Sequence, residues 1–428
     1  MIFNIQNLLR HKSKNIENFP TGIKFFNIGV FLLVSAPAIA GLFFLTSIIL
    51  SSLNSKLNYF QDKSNKIFII ISILLISTTF INHFFHSNND VLSGYQTFVN
   101  WIGILNWIPY FYCYWAFQKF LNTSVSRKNT AINLVSGSIP LLITSVGQYW
   151  FDWHGPFKTL NGLIIWFQRP ISSGDGVTGL FNNSNYAGSW LVIIFPFIIA
   201  FMYQITNSRL QRFVISILIS LVSTLIYISK SRNALLGSIL SLQLLYQSKP
   251  IFIILIFLGL FIFSLTTLNE SFKKLFIGNY LTINLNFESF SRLNIYKESI
   301  NFILERPILG WGSASFPLLF FAKKYEWLGH SHNIFLELAI NYGLISATLI
   351  GFVIFSILFR SFKSIYLLKT FKGKTEEKEN SYLDKAWWTA TMILLFSQFF
   401  DIQFFDFRIG MIFWILLSGL SKIKSPVY

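Results

Sequence analysis

The sequence predicts an all-α polytopic membrane protein with about twelve transmembrane helices, and three observations carry that prediction. Hydrophobic residues make up 53% of the 428 residues and charged residues only 12%, where a soluble domain carries about a quarter charged residues. Phe alone contributes 49 residues, more than one aqueous core can hide, so lipid has to solvate much of the apolar surface. Apolar stretches of roughly 17–25 residues, the length a bilayer demands, recur along the chain. By length alone the chain would divide into two or three soluble domains; with this composition, 1–428 reads as a single integral-membrane domain.

Helices are expected near 23–36, 38–53, 67–82, 98–117, 131–149, 184–204, 213–229, 233–247, 250–268, 333–359, 386–402 and 407–421. Pro37 separates the first two, because a proline removes a helical hydrogen bond and restricts the residue before it. One broken segment over 22–53 is the alternative, and it would invert every later loop. No internal repeat and no heptad pattern is evident. The polar, basic stretch Met1–Phe19 lacks the apolar core of a cleavable signal peptide. Cys113 is the single cysteine, which excludes a disulfide or a thiolate metal cluster.

Lys and Arg total 34 against 17 Asp and Glu, a net charge of +17. In a soluble chain that balance suggests nucleic-acid binding; here it fits the preference of basic residues for cytoplasmic loops. With the N-terminus inside, the inner loops hold 21 basic residues and the short outer loops 5. Seven more lie in the loop 269–332, which is long enough to escape the rule. The expected arrangement puts both termini in the cytoplasm, the lipid bilayer around the chain, and no nucleic acid among its partners. Two segments then face outward, 150–183 and the long loop 269–332. The long loop is expected to be partly helical, since Leu293, Ile295, Tyr296, Ile300, Ile303 and Leu304 recur at helical spacing within Ser291–Leu304.

Four polar constellations lie on the outer side, where eleven of the 17 acidic residues also fall. Ser229-Lys230-Ser231-Arg232-Asn233 places two cations in a very short outer loop, against the charge rule. Arg232 also starts a helix, where the macrodipole is already positive, so an anion belongs there; snorkelling to lipid headgroups is the alternative. Gly329-His330-Ser331-His332-Asn333 leads into the helix at 334. An imidazole at that mouth can act as a general base toward a hydroxyl, or simply lie at the interface; zinc would need further ligands, so no metal is assigned. Glu337 lies in the first turn of that helix, on the face of Asn333 and away from His332.

Arg292 opens the third constellation, which ends in Glu305-Arg306-Pro307 and Gly310-Trp311-Gly312. The glycines follow a helix rather than a strand, so nucleotide-binding fingerprints do not apply, and a tight turn packed on the bilayer face is expected. Arg292 can reach a phosphate as a bidentate donor, or stay solvated. Arg169-Pro170 with Asn182, Asn183 and Asn185 forms the fourth; the asparagines suit sugar hydroxyls and helix capping alike.

Together these residues resemble the O-antigen ligase and polymerase family of integral-membrane glycan transferases. His332-Asn333 followed after nine residues by Gly343 and then Ser346 is similar to the ligases' H-[NSQ]-x9-G-x-x-[GTY] signature, with Ser346 a departure. Arg232 with Leu236, Arg292 with Arg306-Pro307 and Gly310-Trp311-Gly312, and Arg169 with Asn182–Ala187 resemble further elements; Ser184 stands where the usual proline would be. The resemblance implies transfer of a glycan from an undecaprenyl-diphosphate carrier to a lipid or saccharide acceptor hydroxyl. The reaction is expected on the periplasmic side of a bacterial inner membrane, without a cofactor or required metal. It implies His332 as general base and Arg232 and Arg292 as the diphosphate clamp, with Arg169, Lys230, Asn185, His330, Asn333 and Glu337 as substrate contacts. A polysaccharide polymerase is the related alternative. A transporter linked to inorganic-carbon accumulation is the rival of a different class, and it would place ionisable groups near mid-membrane.

Overall fold

The computed structural model describes residues 20–53, 59–86, 97–172, 175–204, 208–246, 292–324, 327–367 and 375–423. The span expected at 250–268, Ser291 and the first part of the loop 269–332 lie outside these residues.

The chain opens with α1 (Pro20–Leu32) and α2 (Pro37–Leu53). Phe26 packs on Phe44 with ring centroids 6.0 Å apart, and Gly22 lies against Leu50. That pairing runs antiparallel, so Pro37 starts a second helix rather than kinking one long one. At 13 residues, α1 spans roughly 20 Å, short of the ~30 Å hydrocarbon core.

α3 (Lys63–His86) is followed by α4 (Thr97–Ile104) and α5 (Ile108–Phe117), then α6 (Ser124–Gly137) and α7 (Ile139–Trp150). The expected spans 98–117 and 131–149 are thus each two helices. Pro109 and Pro140 are the reason: each sits in the first turn of the second helix, where its missing N–H costs nothing. The segment 150–183 holds a short hairpin, β1 (Phe157–Thr159) paired antiparallel with β2 (Ile164–Trp166), Lys158 opposite Ile165. The expectation of an all-α fold is corrected to that extent.

α8 (Ser184–Gln204) is the central helix: every residue from Ala187 to Ala200 is buried. It packs against α9 (Arg209–Ile228), α10 (Arg232–Tyr246) and α14 (Thr375–Ser397). α11 (Arg292–Glu305) and α12 (Phe316–Lys324) follow α10, and then α13 (Ile334–Phe362) packs on α3 and α11. α15 (Phe407–Leu420) closes the bundle against α5 and α14.

Among the described residues, five helical segments are long and apolar enough to cross a membrane: Lys63–Phe84, Ser124–Trp150, Ser184–Gln204, Arg209–Ile228 and Ile334–Leu367. Shorter apolar helices lie at Thr21–Leu32, Pro37–Leu53 and Phe407–Leu420. Leu210, Phe213, Val214 and Ile217 on α9 are exposed, a patch that water would not tolerate and lipid does. The protein is an integral membrane protein, mostly helical.

The continuous helix expected over 333–359 is instead broken, with α13 interrupted at Gly343 (φ 81°, ψ 164°). The segment 307–312 occupies the break. Trp311 N donates to Ile340 O (2.6 Å), Gly312 N to Asn341 O (3.0 Å), and Leu344 N to Pro307 O (2.8 Å). Those bonds satisfy backbone groups that a broken helix leaves without partners. A Cβ on Gly343 would collide with Ile308 O, and one on Gly310 would lie 2.6 Å from Ile340 O, so neither position admits a side chain. The Gly310-Trp311-Gly312 turn is therefore buried in the helix break, not laid on the bilayer face.

Candidate functional site

The site is built from turns at one end of the bundle. Between α9 and α10 the chain reverses over Ser229–Ser231, with Lys230 at φ 52°. Val177 N donates to Ile228 O at 3.2 Å, and a Cβ on Gly176 would collide with Ser229 O. Gly188 of α8 meets Ser231 and Ala234 at close range. The arginine-bearing turn is thus packed tightly on the asparagine-rich entry to α8 and on the loop before it. Gln148 staples that loop: Oε1 accepts from Thr178 N and Gly179 N, both at 2.9 Å, and Nε2 donates to Arg169 O at 2.5 Å.

The histidine loop is held by its own neighbours. Asn333 caps α13, its Oδ1 accepting from Phe335 N (3.0 Å) and Leu336 N (3.2 Å), while Nδ2 donates to Phe399 O (3.3 Å). Glu337 is 3% exposed and accepts from Ser331 N at 2.9 Å. Both side chains fix the loop shape. His332 itself sits at φ 55°, a left-handed conformation that costs an ordinary residue of order 1–3 kcal/mol and persists where the surroundings enforce it.

His332 Nδ1 lies 3.2 Å from Asp401 Oδ1, and His330 Nε2 lies 3.8 Å from the same oxygen. His332 N donates to His330 Nδ1 at 3.2 Å, and the two rings meet edge to face. Asn185 Nδ2 donates to the other carboxylate oxygen of Asp401 at 3.2 Å. Tyr296 on α11 donates to Phe399 O at 2.8 Å, tying Arg292's helix to the loop that carries Asp401.

Burial alone would raise the Asp401 carboxyl. The hydrogen bond from His332 and the attraction of His330, His332 and Arg292 reverse this and hold it below its ordinary value. His330 moves down to about 4, first through burial and then through His332, against the pull of Asp401. It is neutral at pH 7. Burial, and then the Arg292 guanidinium, depress the basicity of Arg232. Arg292 thus acts electrostatically on both Arg232 and Asp401. Among the described residues neither arginine forms an ion pair with a carboxylate.

Of the residues singled out from sequence, the structure brings His330, His332, Asn185, Arg232 and Arg292 into one electrostatic neighbourhood. Asn333 and Glu337 support it from beneath. Lys230 is exposed on the adjoining turn, and Arg169 is exposed on a loop pinned through its backbone; no hydrogen bond or ion pair among the described residues joins either side chain to the cluster. Asp401 is the residue that sequence reasoning misses, because the hydropathy pattern makes it the end of a span at 386–402. In the structure α14 stops at Ser397 and Asp401 lies in the following loop. Its signal is a lone carboxylate in Phe399-Phe400-Asp401-Ile402, an ionisable group in apolar surroundings. It also supplies the third ligand that a metal at the histidines lacked: one atom each of His330, His332 and Asp401 lies within 4.8 Å of the others.

The chemistry available is therefore an imidazole oriented by a carboxylate, beside two guanidiniums that carry no carboxylate partner among the described residues. No curated protein matches the chain. The family model described as O-antigen ligase matches residues 178–355, from the Gln148-stapled loop through the histidines to α13, and over that segment the chain is similar to the O-antigen ligase family.

Proposed function

We propose that this protein is a membrane glycosyltransferase that moves a glycan from an undecaprenyl-diphosphate carrier to an acceptor hydroxyl. The reaction is proposed at the periplasmic face of a bacterial inner membrane, in a chain of about twelve spans with both termini cytoplasmic. The observation that carries the reading is the 3.2 Å contact between His332 Nδ1 and Asp401 Oδ1. A carboxylate there favours the tautomer with the proton on Nδ1, leaving the Nε2 lone pair free to act as base. Nε2 takes the acceptor's proton as its oxygen attacks the anomeric carbon, and the bond from that carbon to the diphosphate breaks. Arg232 and Arg292, joined by the N-terminal dipole of α10, stabilise the charge that develops on the departing diphosphate. His330 stays neutral and buttresses the His332 backbone, Asn185 orients Asp401, and Lys230 and Arg169 reach toward the glycan or carrier.

A broken α13 would also suit a carrier, since transporters coordinate cargo at unwound helices. Here the freed carbonyls of Ile340 and Asn341 are already occupied by Trp311 N and Gly312 N, which favours a rigid scaffold and surface chemistry. Ligation is preferred over polymerisation on the His332-Asn333…Gly343 match to the ligase pattern. The test is reconstitution of the full chain in liposomes with a polyprenyl-diphosphate-linked glycan and a saccharide acceptor. Transfer from the lipid donor, and none from a nucleotide sugar, is expected; bicarbonate uptake without transfer would overturn the reading.

A further inference from the structure

The inner-loop ends that the charge pattern groups together do meet in space, at the end of the bundle opposite the histidines. They enclose an open cavity of about 650 Å³. Lys63 at the start of α3, Arg360 and Lys363 at the end of α13, and Lys422 after α15 line it. Among the described residues no carboxylate pairs with Lys63, Arg360 or Lys363. Asp62 is the one carboxylate lining the cavity among those residues. It is turned to the start of α3, where it accepts from Ser64 N at 2.7 Å.

Two buried side chains add a second, independent observation. Gln118 and Ser364 are each 4% exposed, and both line the cavity. Gln118 Nε2 and Ser364 Oγ have no hydrogen-bond partner among the described residues. A buried donor left unmade is costly, and cations packed around a cavity repel one another unless an anion joins them. Cations lining one space, with unpaired donors on two of its lining residues, call for a ligand rich in acceptor oxygens and negative charge. Basic pockets between membrane helices recognise phosphate-bearing headgroups by the same physics.

We infer that this cavity binds a phosphate group, carried by an anionic phospholipid headgroup or by a soluble phosphate. The site is separate from the His332–Asp401 cluster and does not depend on the proposed transfer reaction.

The experiment uses the full purified chain in nanodiscs of equal phosphatidylcholine and phosphatidylglycerol, with retained lipid counted by native mass spectrometry during delipidation. A parallel arm follows thermal unfolding in neutral detergent against inorganic phosphate. The expected result is retention of phosphatidylglycerol over phosphatidylcholine by about tenfold or more, each cation being worth about fivefold. The R360Q/K363Q pair should abolish most of that preference and Q118L should lower it several-fold, while K66Q, outside the cavity lining, should leave it unchanged. Stabilisation by inorganic phosphate without lipid preference assigns the soluble source. Equal retention of both lipids with no phosphate effect overturns the inference, as does a preference that survives both R360Q/K363Q and Q118L. Should the double variant fail to fold, the wild-type lipid ratio and Q118L decide.

Discussion

Replacing Asp401 by Asn keeps the shape of the side chain and exchanges one oxygen for an NH₂. In the wild type the carboxylate serves two donors, His332 Nδ1 and Asn185 Nδ2, each at 3.2 Å. Asn has one oxygen for the two. If that oxygen serves Asn185, the new NH₂ faces Nδ1, which must become an acceptor, and the proton moves to Nε2. The base is then blocked, and the loss approaches the ~10²–10⁴-fold that a general base contributes. If the oxygen serves His332, the Asn185 amide meets another donor, and the imidazolium that forms in the transition state loses its carboxylate charge; a charge-assisted bond at ~1.5–3 kcal/mol sets that loss at about 10- to 150-fold. Both orientations predict a fall in kcat of about tenfold at least, with donor KM changed little because the arginines are untouched. The assay is steady-state transfer from a polyprenyl-diphosphate glycan in proteoliposomes. A variant with wild-type kcat would refute the role of Asp401 in orienting His332.

Gly343→Ala should destabilise the protein by about 2–6 kcal/mol, from a glycine-only backbone angle and a clash with Ile308 O, seen as a large fall in Tm. Ser346→Ala, one turn past the break, should by contrast stay within about 1 kcal/mol of wild type. His330 titrates near 4 in the folded protein against 6.5 in a free chain, so the unfolded state binds the extra proton between those values. Stability should therefore decline as pH drops from 6.5 toward 4, by about 3 kcal/mol at most. His330→Gln should flatten that part of the Tm–pH curve. Arg232→Lys keeps the charge but loses the planar fork; donor KM should rise about tenfold or more, and an unchanged KM would remove Arg232 from the diphosphate.

Much of the fold is legible in the sequence because bilayer thickness and hydropathy are local properties. α8 occupies 184–204 as read from sequence, and α3 brackets the expected 67–82. The breaks before Ile108 and Ile139 are less so, since a proline near the start of a helix and one inside it look alike in an apolar run. Each of the four polar constellations sends a residue to the His332 neighbourhood, and two cations in a very short loop, against the expected charge bias, are what mark Arg232. Asp401 escapes because it lies 69 residues from His332 along the chain and is framed by phenylalanines. The glycines at 310, 312 and 343 belong to motifs that read as separate, yet the break in α13 and the turn that fills it are a single long-range contact. No local pattern encodes that pairing.

The proposed chemistry turns on His332 taking the acceptor's proton. The measurement that bears on it most directly is the single-turnover rate of glycan transfer by His332→Gln, in protein shown to retain the wild-type Tm and donor affinity. A rate lowered by about 10²–10⁴-fold with donor binding intact is the expected result. Transfer at the wild-type rate would contradict the assignment of His332 as the base.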